Sequence, residues 1–576
     1  MKHGFQLAWI DYAIILAYFT IVIAIGWVLR RHMKNATAFL EAGRSIPAWV
    51  AGIAFISTSL GALEVMGMIG CGAKYGMLTF HFYWIGAVPA MVFLGVFMMP
   101  FYYGSKARSV PEYLKLRYDE KTRALNAVLF SVMTILVSGI SMYAIAILTE
   151  QLLGWNFYVA LLASAAIVLA YTYLGGLSSA IHNEVLQFFI VVAGLLPLVF
   201  LSLKEAGGWT GAKAHLGPVV TSLPGRAFAP DTWTTTWRYT SHASMNPMGI
   251  EWYGILLGLG FVLSFGYWCT DFLVIQRAMA ANSKLAAVNT PLIAAIPKML
   301  VPFLIIPGVL SVWLMNAPGK GFSIIENGSA NYDLTIIMLM KHYLPSGLLG
   351  LGLTALLASF MSGMAGNISA FNTVWTYDIY QAYIRKPSGD SGKDQAHYLR
   401  VARITTIVGV LASIASAGIA AEFHNITDFM QTIFSMVNAP LFAVIFLGMF
   451  WKRCTGHGAF AGLLAGLSAA VMHHALTAPA GSTSLFKGGW IHVAHVYPVE
   501  LAQNFWSAIL SCFTSAAVAI GVSLLTTQRK PRSELVGLVY ALTPRDSHSG
   551  IAWYQRPAML AAVAIGLATA LSVIFW

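Results

Sequence analysis

The sequence predicts an all-α polytopic membrane protein, and three observations carry that prediction. Of its 576 residues, 58% are hydrophobic and only 10% charged, with a mean hydropathy of +0.71, a composition that excludes soluble globular and disordered chains. Apolar windows of roughly 20 residues, the length a helix needs to cross a bilayer, recur from end to end. Inside one of them, in FISTSLGALEVMGMIGCG, sits the acidic residue Glu64. A carboxyl group at membrane depth costs several kcal/mol unless a cavity or a partner receives it, so it marks a functional site.

Fourteen windows are expected in order, near 8–30, 48–70, 79–103, 124–151, 157–177, 184–204, 252–276, 288–315, 342–377, 402–421, 428–450, 457–477, 503–526 and 557–575. The first is longer than the apolar region of a signal peptide, is preceded by only Lys2 and His3, and lacks a small-residue cleavage site, so it is kept as structure. The long connections 203–250 and 478–503 read as covers or gates over an entrance. Cys71, Cys269, Cys454 and Cys512 have no metal-site or disulfide spacing and are assigned to packing. Trp84, Trp252 and Trp375, near window ends, read as interface anchors. His81 and His182 read as hydrogen-bonded structure, and no HExxH pattern is present.

Orientation follows from the basic residues, because short cytoplasmic loops retain positive charge. With fourteen windows and an outside N-terminus, one side receives most of the 34 Lys and Arg residues. They are Arg30, Arg31, Lys34, Arg44, those of the loop GSKARSVPEYLKLRYDEKTR, Arg277, Lys284, Arg385 to Arg403, Lys452, Arg453, and the segment from TTQRKPRSE through Arg556. The expectation is a multi-pass protein of the plasma (cell inner) membrane with both termini outside. Topology alone then accounts for the net charge of +12, without nucleic acid.

Two windows differ from the rest. The window at 48–70 carries Gly61, Gly67, Gly70 and Gly72 around Ser57, Thr58, Ser59 and Glu64; the one at 252–276 carries Gly254, Gly258, Gly260 and Gly266 with Ser264, Tyr267, Trp268, Thr270 and Asp271. Glycines weaken helices and release backbone groups, which a bilayer tolerates only where protein or a wet cavity satisfies them. Interrupted helices five windows apart point to an inverted-repeat secondary transporter with its site at the midplane. The competing reading is close packing of small-residue faces.

Specific strings carry a family resemblance: FLEAGRSIPAWVAG, SVPEYLKLRY, YTYLGGLSSAIHNEVLQ, YWCTDFLVIQR, ALLASFMSGMAGNISAFNTVWTYDIY and GMFWKRCTGHGAFAG, in order between about residues 8 and 475. Together they resemble the sodium/solute symporter family, and within it the sodium/glucose (galactose) cotransporter branch. The resemblance implies one LeuT-type transporter domain over 1–576 that works by alternating access. Its first repeat is 48–204, its inverted second repeat 252–450, and 8–30 and 457–575 are additional helices.

The resemblance also implies a sodium site. Hard cations take shells of oxygens, which broken-helix carbonyls and hydroxyls supply. Carried over, the carbonyls fall on Ser57, Leu60 and Ser359 and the hydroxyls on Ser362 and Gly363. Gly363 has no hydroxyl, which leaves open a water in its place, weaker sodium binding, or coupling to protons. Glu184 matches an acidic residue on the family's ion exit route; the other reading is an interfacial charge in water.

For the substrate, the resemblance implies polar groups that bind sugar hydroxyls and an aromatic gate beneath the ring. Tyr267 takes the gate position with Trp268 beside it and Ser264 a turn earlier, Gln431 is the glutamine of DFMQTIF, and Lys298 the lysine of PKMLVPF. Tyr83 stands where the family carries a glutamate and Glu64 where it carries Gln or His, as if the carboxylate had moved across the cavity. Glu64 is open to three readings: it accepts hydroxyls of a polyol, pairs with Lys298, or carries a coupling proton. The leading expectation is sodium-driven import of a small polar solute, a sugar first. The alternative is a proton- or sodium-coupled carrier of a monocarboxylate, amino acid or other nutrient, with Lys298 pairing a substrate carboxylate. No nucleophile–base or His–carboxylate cluster points to an enzyme.

Overall fold

At membrane depth no water satisfies backbone groups, so the apolar windows fold as helices. The computed structural model describes residues 7–576 apart from 30–34, 224–227, 318, 320, 327, 389–390, 422, 424, 483, 528–529 and 544–551; Lys2, His3, Arg30, Arg31, Lys34, Arg529 and Arg545, named or included above, lie outside the described residues. In chain order the helices are α1 Trp9–Leu29, α2 Ala48–Ser59, α3 Leu63–Phe80, α4 Phe82–Gly104, α5 Glu120–Leu152, α6 Phe157–Ala170 and α7 Gly176–Glu205. There follow α8 Trp252–Thr270, α9 Phe272–Met279, α10 Lys284–Asn316, α11 Leu348–Ile384, α12 Gly392–Ala420, α13 Ile426–Phe450, α14 Gly456–Leu476, α15 Glu500–Leu525 and α16 Pro557–Ile574. Two small sheets, Ile325–Glu326 with Ser329–Ala330 and Thr477–Pro479 with His495–Tyr497, lie in connections.

Twelve of these helices are long and apolar enough to span, and α2 with α3, bent by 58°, makes a thirteenth. The expected count of fourteen is not confirmed: window 157–177, counted as a separate span, forms the first part of one helical run, Phe157–Glu205. That part ends in a kink into α7 at Gly176 (φ +52°), where a Cβ would lie 2.5 Å from the Phe39 carbonyl oxygen, so only glycine fits both the backbone and the contact.

The connections rich in basic residues meet at one end of the molecule. Arg44 donates to the Ala107 carbonyl (2.9 Å), Arg108 to Gln381 Oε1 (2.9 Å) and Lys530 to the Lys115 carbonyl (2.8 Å). At the other end Lys74 Nζ reaches Asp428 (2.8 Å) and Glu500 (2.9 Å), and part of the long connection 203–250 packs beside it. Buried Trp233 in that connection donates to the Ala73 carbonyl (3.1 Å), and Thr236 N–H to the Phe575 carbonyl (3.1 Å). A cavity of about 700 Å³ opens there between Lys74, Tyr75, Phe228, Trp233 and Tyr332.

Both glycine-marked windows break, each for its own reason. Between α2 and α3, Leu60 leaves helical geometry (ψ +41°) and Gly61 faces Gly363 of α11 so closely that a Cβ on Gly61 would be 3.2 Å from the Gly363 Cα. The second break falls not among the glycines but at Asp271 (ψ +116°), whose carboxylate caps α9 through the Leu273 N–H (2.9 Å). The glycines of α8 pack instead: a Cβ on Gly258 would meet Phe505 at 2.7 Å.

Candidate functional site

The α2–α3 break releases carbonyls, and α11 meets them with hydroxyls. Ser359 Oγ donates to the Leu60 carbonyl at 2.5 Å, and Ser362 Oγ to the Ser57 carbonyl at 3.2 Å; Ser57, Leu60, Ser359 and Ser362 are each at most 2% exposed. The Ser359 carbonyl lies 3.8 Å from the Cβ position of Gly61, on the same junction. Neutral oxygens from two helices therefore converge here, a donor set suited to a hard monovalent cation. Gly363 joins them with backbone only, because a Cβ on it would stand 3.3 Å from the Gly61 Cα.

A few residues on, α3 carries Glu64 against the middle of α10. Glu64 Oε1 pairs with Lys298 Nζ at 2.8 Å, and Tyr83 Oη donates a short hydrogen bond to Glu64 Oε2. Lys298 is 0% exposed and also donates to Ser59 Oγ at 3.1 Å, while Glu64 retains 12% exposure. The ammonium lies 5.3 Å from the Tyr83 ring centroid and 5.0 Å from that of Trp268, so aromatic faces enclose it. Of the three readings of Glu64, the ion pair with Lys298 is the arrangement present.

Beside this pair lies a cavity of about 50 Å³ lined by Glu64, Ser264, Tyr267, Trp268, Gln431 and Phe434, among others. Tyr83 and Lys298, grouped with the contacts on sequence grounds, sit behind Glu64 and do not line it. The Tyr267 ring stacks on Phe434 at 5.0 Å, and Trp268 on Phe55 at 5.7 Å. Gln431 is 6% exposed, and its Oε1 has no hydrogen-bond partner among the described residues. At this size the cavity is well below the roughly 300 Å³ at which ligand pockets begin, so a solute of that size enters only when its walls part.

Glu184 lies away from this cluster. The reading of an interfacial charge in water does not hold: Glu184 is 1% exposed and forms a bidentate pair with fully buried Arg277, whose Nε stands 3.2 Å from Oε2. Arg277 is further held by the Leu273 carbonyl (2.8 Å) and Gln276 Oε1 (3.2 Å).

Sequence reasoning did not single out Ser59 as the acceptor for Lys298, Phe434 as the stacking partner of Tyr267, or the Ser359 hydroxyl in addition to its carbonyl. Ser59 was legible as one of three consecutive hydroxyl residues before the break, but its partner on α10 was not.

The Sodium:solute symporter family model matches residues 39–466. The chain is 27% identical over 479 residues to the Sodium/glucose cotransporter of Vibrio parahaemolyticus, covering 81% of this chain and 85% of that protein. It is 27% identical over 555 residues to the Sodium/myo-inositol cotransporter 2 of Oryctolagus cuniculus, covering 93% and 79%. The fold matches the substrate-bound outward-open state of a Na+-coupled sialic acid symporter with a TM-score of 0.71 at 18% identity, over 91% of this chain and 99% of that one. The chain belongs to the sodium:solute symporter family, as a sodium-coupled membrane importer of a small solute and not an enzyme.

Proposed function

We propose that the imported solute is a sugar or related polyol, held in the cavity between α3, α8 and α13, and that sodium binds at the α2–α3 break against α11. The observation that carries the sugar reading is Gln431 Oε1, a buried acceptor with no partner among the described residues, on a wall it shares with Ser264, Tyr267 and the exposed edge of Glu64. Each sugar hydroxyl both donates and accepts, so it pairs with a bare amide oxygen and a carboxylate edge, while the apolar ring face packs on Tyr267. The carboxylate-substrate reading needs an accessible ammonium. Lys298 is instead fully buried and already engaged by Glu64 and Ser59, which favours the neutral solute. The names of the glucose and myo-inositol cotransporters agree with that choice.

Sodium would be held by the carbonyls of Ser57, Leu60 and Ser359 and the hydroxyl of Ser362, with Gly363 supplying none. Ser59 joins the two sites: it lies between Ser57 and Leu60, donates to the Ile56 carbonyl (2.7 Å) and accepts from Lys298. Drawing α2 onto α11 around an ion thereby tensions the charged wall of the solute cavity. Glu184, paired with Arg277 where α7 meets α9, stands on the inward route of the ion. The two five-helix units are residues 48–204 and 252–450, related by inversion. Both termini face outward from the cell membrane, with the basic end of the molecule in the cytoplasm.

The test is equilibrium competition on purified protein. Hexoses and inositols compete for one site with sodium-dependent affinity if the reading is correct, and monocarboxylates displacing a bound radioligand where hexoses do not would overturn it.

A further inference from the structure

The hydroxyl that Gly363 lacks has a neighbour positioned to replace it. A Cβ built on Gly363 points at two groups: the Gly61 Cα at 3.3 Å and the hydroxyl oxygen of Ser141, on α5, at 3.4 Å. Ser141 therefore presents an oxygen to the point where the side chain of residue 363 would begin, on the same side as the break that offers the Ser57 and Leu60 carbonyls.

Its helix strengthens the case. Along α5, hydroxyls recur at Ser131, Thr134, Ser138 and Ser141, the three- and four-residue spacing of one helix face. Ser131 bonds back to the Ala127 carbonyl (2.7 Å), Thr134 to that of Phe130 (2.9 Å) and, further on, Thr149 to that of Ile145 (2.7 Å), the usual way a hydroxyl is satisfied in an apolar helix. Ser141 is 5% exposed and makes no such bond among the described residues. Ser138, one turn before it, is fully buried and likewise has no hydrogen-bond partner among the described residues. A hydroxyl withheld from its own helix in an apolar environment costs free energy unless something else receives it.

We propose that Ser141 Oγ is the additional oxygen ligand of the coupling cation, replacing from α5 the hydroxyl that Gly363 does not supply from α11. The inference rests on the sodium site assigned above. It ties the ion to a third helix, so that α5 closes with α2 and α11 when sodium binds. It also gives Gly363 a reason: the glycine lets the α2–α3 break approach α11 closely enough for an oxygen on α5 to complete the shell.

The experiment is equilibrium binding of radioactive sodium to purified protein, with no substrate present. Ser141→Ala is expected to weaken binding on the order of tenfold, and Ser141→Cys, which keeps the packing but offers soft sulfur, to weaken it similarly. Ser131→Ala, whose hydroxyl serves its own helix, should bind as the unaltered protein does. Adding Gly363→Ser to Ser141→Ala, where the space vacated on α5 admits the new side chain, should recover part of the affinity. Weakened binding in Ser362→Ala with unchanged binding in both Ser141 variants overturns the inference alone. Unchanged binding in Ser362→Ala and the Ser141 variants together overturns the ion site, and the inference with it.

Discussion

Breaking the Glu64–Lys298 pair from either side should have unequal effects, and the structure orders them. The pair is joined at 2.8 Å, with Lys298 0% exposed and Glu64 12% exposed. Removing one member of a buried pair costs about 3–5 kcal/mol, mostly for the charge left behind, whereas replacing both by apolar residues is neutral or stabilising by about 1–4 kcal/mol. Glu64→Leu strands an ammonium with only Ser59 Oγ and two ring faces, so it should lose about 3–5 kcal/mol. Lys298→Met leaves a carboxylate that still accepts from Tyr83 and touches the cavity, so its loss should be smaller. The double variant should be near the unaltered protein in stability, giving a coupling energy of several kcal/mol. The assay is denaturant unfolding of detergent-solubilised protein followed by tryptophan fluorescence. Because Glu64 also supplies the cavity edge, the stable double variant should still bind hexose weakly. Additive single losses, or equal ones, would refute this reasoning.

Four further outcomes follow from the same geometry. Gln431→Ala should raise the KM for hexose uptake by about two- to tenfold, the worth of one neutral hydrogen bond, without changing sodium affinity; an unchanged KM removes Gln431 from the site. Glu184→Gln should destabilise the protein by about 3–5 kcal/mol in the unfolding assay, because Arg277 is fully buried. Asp11→Ala should cost about 1–2 kcal/mol by the same measure, since Asp11 Oδ1 accepts from the Gly347 and Gly350 N–H groups at 2.7 Å each and so caps α11 from α1. Gly363→Ala should reduce stability modestly in that assay, its new methyl lying 3.3 Å from the Gly61 Cα.

Much of the site was legible because charges at membrane depth are conspicuous. Glu64 and Lys298 each stand alone in apolar sequence, and their pairing follows from the cost of leaving either unpaired. The break after Ser59 was legible from hydroxyls and glycines together. In the window 252–276 the same signal misled, because its glycines serve close packing and the break is set by Asp271 acting as a cap. The missing hydroxyl at Gly363 could be read from sequence, but its cause could not: the approach of Gly61 and of Ser141 depends on helices hundreds of residues apart meeting in three dimensions. The alternative reading of Glu184 as an interfacial charge stood for a similar reason, since Arg277 reaches it from a separate helix. The windows 157–177 and 184–204 fall in one helical run, Phe157–Glu205, and the kink at Gly176 that separates its two parts depends on the approach of the Phe39 carbonyl, a contact the local sequence does not show.

The most direct test of the central claim is uptake of radiolabelled hexoses and inositols into proteoliposomes under an imposed sodium gradient, compared with an imposed proton gradient. The account predicts concentrative uptake of at least one of these solutes driven by sodium alone and abolished when the sodium gradient is dissipated. Accumulation driven by protons and indifferent to sodium, or sodium-driven accumulation of a carboxylate with no hexose or inositol transported, would contradict it.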